Sequence, residues 1–507
     1  MENINRLDWK KYIPVPVFEE CPEYVELYEK AWELAFSHRK EQEGMPKTPY
    51  MDEGFCDTQI WIWDSCFMAL FCKWAPAVFP GVETLENFYK VLFDGEKLPF
   101  VTPRETEPEW TGATAGKPYQ MKIHIADNPP LFAWAEVENA LLSGDIERIK
   151  NLLYYKKYLQ KHYEWFESRT EPETPDGVFV PTCLIAREEG YRWEGGRSGM
   201  DNTPRGRTGE RATASRPNPP EMLWLDALCQ QALSADQIAA LFSIVGDKEN
   251  EQLWRKRFFE KKELLNRLYW DEQDEFYYDL HEGSKQFYKV PTMASFWALT
   301  AGLAPEERAR KMAEQLLNPN TFGGKVPFVS LARNDADFCE QGNYWRGSVW
   351  LPTAYAALCG LKRYGLFAVA HQTAKSLLEH VCKTYLQHEP HTIWECYSPT
   401  ETKPALDEVG GFVRPDFCGW SALGPISVFL EFVLGFHTVN AFEKTVRWQL
   451  PENVSGKIGV RNLRFGEIVT DIVLDKNRVS VQTNRPYTLC INGCAYELKT
   501  GENSISL

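Results

Sequence analysis

Between about residues 22 and 438 the chain alternates two kinds of segment: some are apolar nearly all round, others on one face only. Segment 65–75, Ser-Cys-Phe-Met-Ala-Leu-Phe-Cys-Lys-Trp-Ala, is of the first kind, and so are 131–142, 221–231, 292–303, 349–361 and 422–434. A helix without a polar face is stable only where other elements surround it. The second kind includes 235–245, 373–384 and the segment in which Tyr24, Tyr28, Ala31, Trp32 and Ala35 share a face while Glu23, Glu26, Glu29 and Lys30 lie mostly elsewhere. The alternation predicts two concentric layers made of about a dozen helices, a mainly α architecture whose inner layer resembles the inner ring of a helical barrel. No short-period repeat supports a regular solenoid.

The pattern changes near residue 441. Ile468-Val469-Thr470-Asp471-Ile472-Val473-Leu474 is β-rich, and Arg478 to Thr483 alternates with period two. Asn492-Gly493 lies between two further β-prone runs, a type I′ hairpin signal. We therefore expect a helical domain over 1–438 and a small antiparallel β module over 441–507, with no chemistry visible in the module.

Bulk properties mostly exclude. A net charge of -15 over 507 residues gives no electrostatic reason to expect nucleic acid or an anionic membrane as partner. The 13 cysteines include no Cys-x-x-Cys pair, and His388 and His391 lack a third ligand, so no metal or other cofactor is expected. The first residues lack the basic start and apolar core of a signal peptide, and no apolar run reaches the length of a membrane span. A cytoplasmic location is the expectation. Aromatics make up 14% of residues, enough to fill a helical core and also to line a pocket for sugar rings.

Two long polar stretches stand out among the helices. Residues 187–220 hold seven Arg, six Gly and four Pro, and residues 101–130 end in Asp127-Asn128-Pro129-Pro130. Stretches of this length in a globular chain are functional or disordered. The first contains Asp201, on a loop shaped by Gly199 and Pro204, with Arg205, Arg207 and Arg211 as candidate partners. Pairing with arginine would lower its pKa, whereas burial or a neighbouring carboxylate would raise it, and the residues leave both open. A plain turn is the structural alternative. Glu395 lies between Trp394 and Cys396-Tyr397, a setting that taken alone is more often structural than catalytic. Asp64 follows Trp61-Ile62-Trp63 at a helix start, where it can cap free N–H groups or grip hydroxyls. Tyr344-Trp345-Arg346-Gly347-Ser348-Val349-Trp350 offers either a stacking platform with one arginine or plain packing at a helix start. A carboxyl that protonates a leaving oxygen, a second that activates water and aromatics to hold the ring are what glycosidic cleavage requires.

Four motifs, Trp61-x-Trp63-Asp64-Ser65, Ser198-Gly199-Met200-Asp201-Asn202-Thr203-Pro204-Arg205, Tyr344-Trp345-Arg346-Gly347-x-Val349-Trp350 and Trp394-Glu395-x-Tyr397, together resemble glycoside hydrolase family 63 and its mannosylglycerate-hydrolase-like branch, with family 37 trehalases more distant. The resemblance runs from about residue 50 to 437. It implies an (α/α)6 barrel and an inverting, exo-acting α-glycosidase for α-glucosides or α-mannosides, with Asp201 as general acid and Glu395 as general base. It also places Trp61, Asp64, Asn128, Tyr344, Trp345, Arg346, Trp350 and Trp394 at the substrate, a small oligosaccharide or glycoside. Asn128 stands where many relatives carry Gln, and Trp193 to Asp201 holds extra residues. A sugar epimerase of helical-barrel type is the rival enzyme, but that chemistry commonly uses histidine and none lies in the four motifs. A non-catalytic glycan-binding protein is the second rival.

Overall fold

The computed structural model describes residues 8–54, 59–96, 122–124, 128–168, 184–207 and 219–507. Helix burial divides as the apolar pattern predicts. Every residue of Ile62–Cys72 and of Gly424–Val433 is buried, whereas the 21-residue helix Lys248–Leu268 buries only Trp254, Phe258 and Leu265. The helices with little exposed surface pack in succession: Ile62–Cys72 on Phe132–Ser143, that on Leu225–Ile244, then Trp297–Thr300, Leu351–Arg363 and Gly424–Val433, which returns to Ile62–Cys72. Helices with a polar face cover them. Gly81–Phe93 lies on Ile62–Cys72, Lys248–Leu268 on Leu225–Ile244, and Pro22–Ser37 with Phe367–Gln387 on Gly424–Val433.

One boundary differs from the sequence reading. Segments 221–231 and 235–245 form a single helix, Leu225–Ile244, and its covering partner is Lys248–Leu268. Ser234-Ala235-Asp236 reads as a polar break, but Asp236 is buried, bonded to Arg255 and, at 2.7 Å, to Arg363. Neutralised in this way, a charge can sit inside a continuous helix.

The C-terminal β region is present and larger than expected. A five-stranded antiparallel sheet runs in the order Val15–Phe18, Ile458–Phe465, Ile468–Asp475, Arg478–Thr483, Gly501–Ser506, so its edge strand comes from the N-terminus. Arg478–Thr483 alternates exposed and buried residues, the period-two signature of a sheet with one wet face. A second sheet of four strands holds the Asn492-Gly493 hairpin, with φ of 48° and 86° as type I′ requires. It is not purely antiparallel, because Thr445–Trp448 pairs in parallel with Tyr487–Ile491. A further sheet went unread in the sequence. Ile185–Arg187, Gly190–Arg192, Met222–Leu223, Asp279–His281 and Phe287–Tyr288 flank the loop that carries Asp201. Two- and three-residue strands leave too little periodicity to detect.

Among the described residues no helix is long and apolar enough to cross a membrane, and no cluster of three His, Cys, Asp or Glu side chains is arranged to hold a metal ion.

Candidate active site

Asp201 sits in a turn closed by the Thr203 N–H donating to the Met200 carbonyl at 3.1 Å. Gly199 enters it at φ 81°, and a Cβ there would stand 2.9 Å from the Trp63 indole. Both the backbone angle and the close approach call for glycine. The Asp201 side chain is open to solvent, although protein atoms surround it closely on its other sides. Desolvation by those walls, with the charges of Glu408 and Glu395, pushes its carboxyl up to about 7. Solvent access tempers the desolvation, so the direction rests as much on the two facing carboxylates.

The arginines next in sequence are engaged elsewhere. Arg205 is fully buried in a double fork, donating to Asp226 at 2.7 and 2.8 Å and to Asp279 at 2.8 and 2.6 Å. Its guanidinium also lies 4.2 Å over the Trp224 ring. Arg207 donates to Asp335 at 2.8 and 2.9 Å and also bonds Asp337. Asp226 starts a helix and Asp279 belongs to the flanking sheet, so these forks tie the Asp201 loop to two rigid elements. Arg211, and the arginine-rich stretch beyond Arg207, lie outside the described residues.

Asn202 joins this loop to the aromatic motif. Its amide donates to the Asn343 carbonyl at 3.0 Å and accepts from the Trp345 N–H at 2.8 Å, while Arg346 Nε reaches its carbonyl at 3.2 Å. Asn343 and Tyr344 both adopt left-handed backbone, φ 46° and 60°, strained for a residue like tyrosine. Held in that way, Tyr344 donates its hydroxyl to Glu395 Oε1 at 2.9 Å.

Glu395 is buried and held directly. Arg414 Nη1 donates to Oε1 at 2.8 Å, and the Trp420 indole and Ser421 hydroxyl both donate to the Glu395 carbonyl at 3.0 Å. Burial raises its pKa above the ordinary glutamate value, and Arg414 and Tyr344 restrain the rise. The Tyr344 hydroxyl, itself buried beside Glu395 and Asp201, is pushed well above its usual range and remains a donor.

Asp64 occupies the first turn of Ile62–Cys72 without capping it. The helix N-terminus favours its anion, but desolvation together with Asp201 and Glu395 outweighs this and raises its pKa well above the ordinary range. Behind it Glu53, completely buried, accepts from the Trp61 N–H at 2.9 Å and the Ser65 hydroxyl at 3.1 Å, and is raised in turn by burial and by Asp64. Asp64, Asp201 and Glu395 thus act on one another electrostatically, which brings three of the sequence candidates into one place.

The aromatic candidates divide. Trp345 and Trp350 are fully buried and stacked on each other at 4.1 Å, and Tyr344 meets the Trp350 ring edge-on at 4.7 Å. Their faces are occupied, so they form a wall behind Tyr344, and Arg346 is turned toward Asn202 and Asp337. Trp61 is half-buried on a strand paired with Lys122–His124, and Trp394 is buried beside Phe412 and His388. Asn128 is buried in the turn before Phe132–Ser143 and takes no part in the bonds that join the two carboxylate segments. Sequence reasoning missed Arg414, Glu53, Glu408 and the anchors Asp226, Asp279, Asp335 and Asp337. Apart from Glu53, they lie far along the chain from the carboxylates they serve or from the arginines they hold, and no local spacing marks them.

Comparison with known proteins follows this geometry. The family model described as mannosylglycerate hydrolase MGH1-like glycoside hydrolase domain matches residues 57–410. An uncharacterized protein of Borreliella burgdorferi is 27% identical over 72% of this chain and 71% of its own length. The mannosyl-oligosaccharide glucosidase of Saccharomyces cerevisiae is 27% identical over 56% of this chain, which spans only 36% of that glucosidase. The family 63 mannosylglycerate hydrolase of Thermus thermophilus, solved with Tris, aligns with a TM-score of 0.53 at 20% identity, over 79% of this chain and 99% of the hydrolase. With most of its length matched by the family model, and with a buried glutamate and a solvent-facing aspartate brought to one place, this chain belongs to the mannosylglycerate hydrolase MGH1-like family and is a glycoside hydrolase.

Proposed function

We propose that the protein is an inverting, exo-acting α-glycosidase that cleaves an α-glucoside or α-mannoside, with Asp201 protonating the leaving oxygen and Glu395 drawing a proton from the attacking water. The observation that carries this reading is the contrast between the two carboxyls. Asp201 is pushed up to about 7, which suits an acid that must hold its proton near neutrality. Glu395 receives three donors, the Tyr344 hydroxyl and the guanidinium and backbone N–H of Arg414, which favour its anion against burial. Two carboxyls whose surroundings treat them differently are the pattern expected of an acid and base pair.

In this reading the closed succession of buried helices is the inner ring of an (α/α)6 barrel. The helical part up to residue 438 forms the catalytic domain, and 441–507, with the N-terminal strand Val15–Phe18 at its edge, the β module. Asp64, whose carboxyl is raised by burial and by the neighbouring carboxylates, binds sugar hydroxyls beside Trp61, Asn128, Tyr344 and Trp394, backed by Trp345, Arg346 and Trp350. The water between Glu395 and the anomeric carbon needs a carboxyl separation of roughly 6.5–9.5 Å. The cysteines of the described residues are free thiols, which suits a reducing cytoplasm.

The test is a screen of α-glucosides and α-mannosides with the anomer of the released sugar followed by NMR. The first-formed product is expected to be the β anomer. A first-formed α anomer overturns the inverting mechanism, and binding without turnover across the panel overturns the enzyme assignment.

A further inference from the structure

The turn Asp407-Glu408-Val409-Gly410-Gly411 is suspended between the two carboxylates. Its legs are held by the Val413 N–H donating to the Ala405 carbonyl at 3.1 Å and by an isolated bridge between Leu406 and Phe412. Asp407 locks the tip, its carboxylate accepting from the N–H groups of Val409 and Gly411, both at 2.9 Å. One leg is fixed to the Asp201 side: the Tyr344 N–H donates to the Leu406 carbonyl at 3.0 Å, and Asn202 bonds Asn343 next to it. The other leg leads through Val413 to Arg414, which holds Glu395. Glu408 therefore stands at the tip of a braced turn on the rim of the site, exposed, with exposed Val409 and half-exposed Phe412 for company.

Resting on the assignment of Asp201 as the acid, we infer that Glu408 determines specificity on the leaving-group side and selects uncharged leaving groups over those that carry a carboxylate. The general acid marks where the leaving oxygen sits, and among the described residues Glu408 is, after desolvation, the strongest single influence on Asp201. Glu395 adds negative charge on the same site, and Arg414, which faces Asp201 and Asp64, is bonded to Glu395. Among the described residues, the cation that acts most on Glu408 is Arg346, buried behind the loop and bonded to Asn202. A carboxylate arriving beside Asp201 would therefore meet the Glu408 charge directly, whereas Val409 and Phe412 offer apolar surface to a sugar face or an aryl ring.

The experiment uses the full chain and a pair of substrates bearing whichever sugar the screen selects, the 4-carboxyphenyl glycoside and its methyl ester. Wild type is expected to favour the ester in kcat/KM by about tenfold, and Glu408→Gln to reduce that preference to about twofold. A second readout separates this from a mere change of shape. Removing the charge lets Asp201 ionise more readily, so the alkaline limb of the ester profile moves to lower pH in Glu408→Gln. Thermal melting confirms that the exposed substitution leaves the fold intact. Equal rates on the two substrates in wild type, or a preference and alkaline limb unchanged in Glu408→Gln, overturn the inference while leaving the glycosidase reading standing. Absence of hydrolysis on every glycoside overturns both.

Discussion

Asp201 and Glu395 are both carboxyls of one site, yet the chain holds them by opposite means. Glu395 is gripped at its own oxygens, by Tyr344 and Arg414. Asp201 is gripped through its backbone, because Arg205 and Arg207, four and six residues on, give their forks to Asp226, Asp279, Asp335 and Asp337. An arginine placed on Asp201 itself would have fixed the loop equally well and lowered the pKa of the acid. The difference teaches that rigidity and acidity can be supplied by separate residues: the loop takes its stiffness from buried ion pairs while the carboxyl proposed as the acid is left to like charge, solvent and the charge of Arg414, which is bonded to Glu395.

The contrast breaks most sharply under direct substitution. Asp201→Asn is expected to lower kcat roughly a thousandfold on a substrate with a poor leaving group and far less on a dinitrophenyl glycoside, whose departure needs no proton. Glu395→Gln should lose a comparable factor on both, since water must be activated in either case. Equal losses on the two substrates for Asp201→Asn would remove it from the acid role. Stability provides a second check on the raised carboxyl. Between the ordinary aspartate range and about 7, native Asp201 binds its proton more tightly than unfolded chain does, so the term it contributes falls as pH rises through that window. Asp201→Asn is free of that term, so its melting temperature relative to wild type should be more favourable at pH 8 than at pH 4.

Next in size is the anchor. Arg205→Met leaves Asp226 and Asp279 buried without their shared cation, and removal of one partner from such a cluster costs about 3–5 kcal/mol. Urea melts of wild type and variant measure it. A loss below about 1 kcal/mol would mean that the forks do not stiffen the loop.

How much of this was legible varies with the range of the signal. The layering of helices follows from residues that are neighbours in sequence, as in 65–75, where a wholly apolar run leaves one option. The Asn492-Gly493 hairpin is equally local. Asp64, Asp201 and Glu395 were singled out by their neighbours, and the structure brings them together. The fate of Arg205 was not legible, because Asp226 and Asp279 lie 21 and 74 residues away and either could have been replaced by Asp201 as the partner. The same holds for Trp345 and Trp350: an exposed stacking platform and a buried stacked pair read identically in sequence.

Arg414 tests the other side of the comparison. Arg414→Met removes a charge-assisted bond from the base, a loss of about 2 kcal/mol or roughly thirtyfold in kcat/KM. Its charge also lowers Asp201, so both limbs of the pH profile should move to higher pH, the acid limb further because Arg414 bonds Glu395 and only faces Asp201. A larger shift of the alkaline limb would show that the two carboxyls are less separately held than their contacts indicate.

The smallest effect concerns Tyr344, where strain and chemistry meet. Tyr344→Phe deletes one donor to Glu395, about 1 kcal/mol or fivefold in kcat/KM, with a slight rise of the acid limb because the lost bond favoured the anion. The fold should be indifferent. The left-handed backbone at Tyr344 is imposed by Leu406 and by Asn202 through its neighbours, and the ring keeps its edge-on contact with Trp350 at 4.7 Å in either residue. Melting temperature and kcat/KM measured together separate the two contributions. A thousandfold loss at an unchanged melting temperature would place the tyrosine hydroxyl in the proton transfer itself, and Glu395 would then share the base role proposed for it.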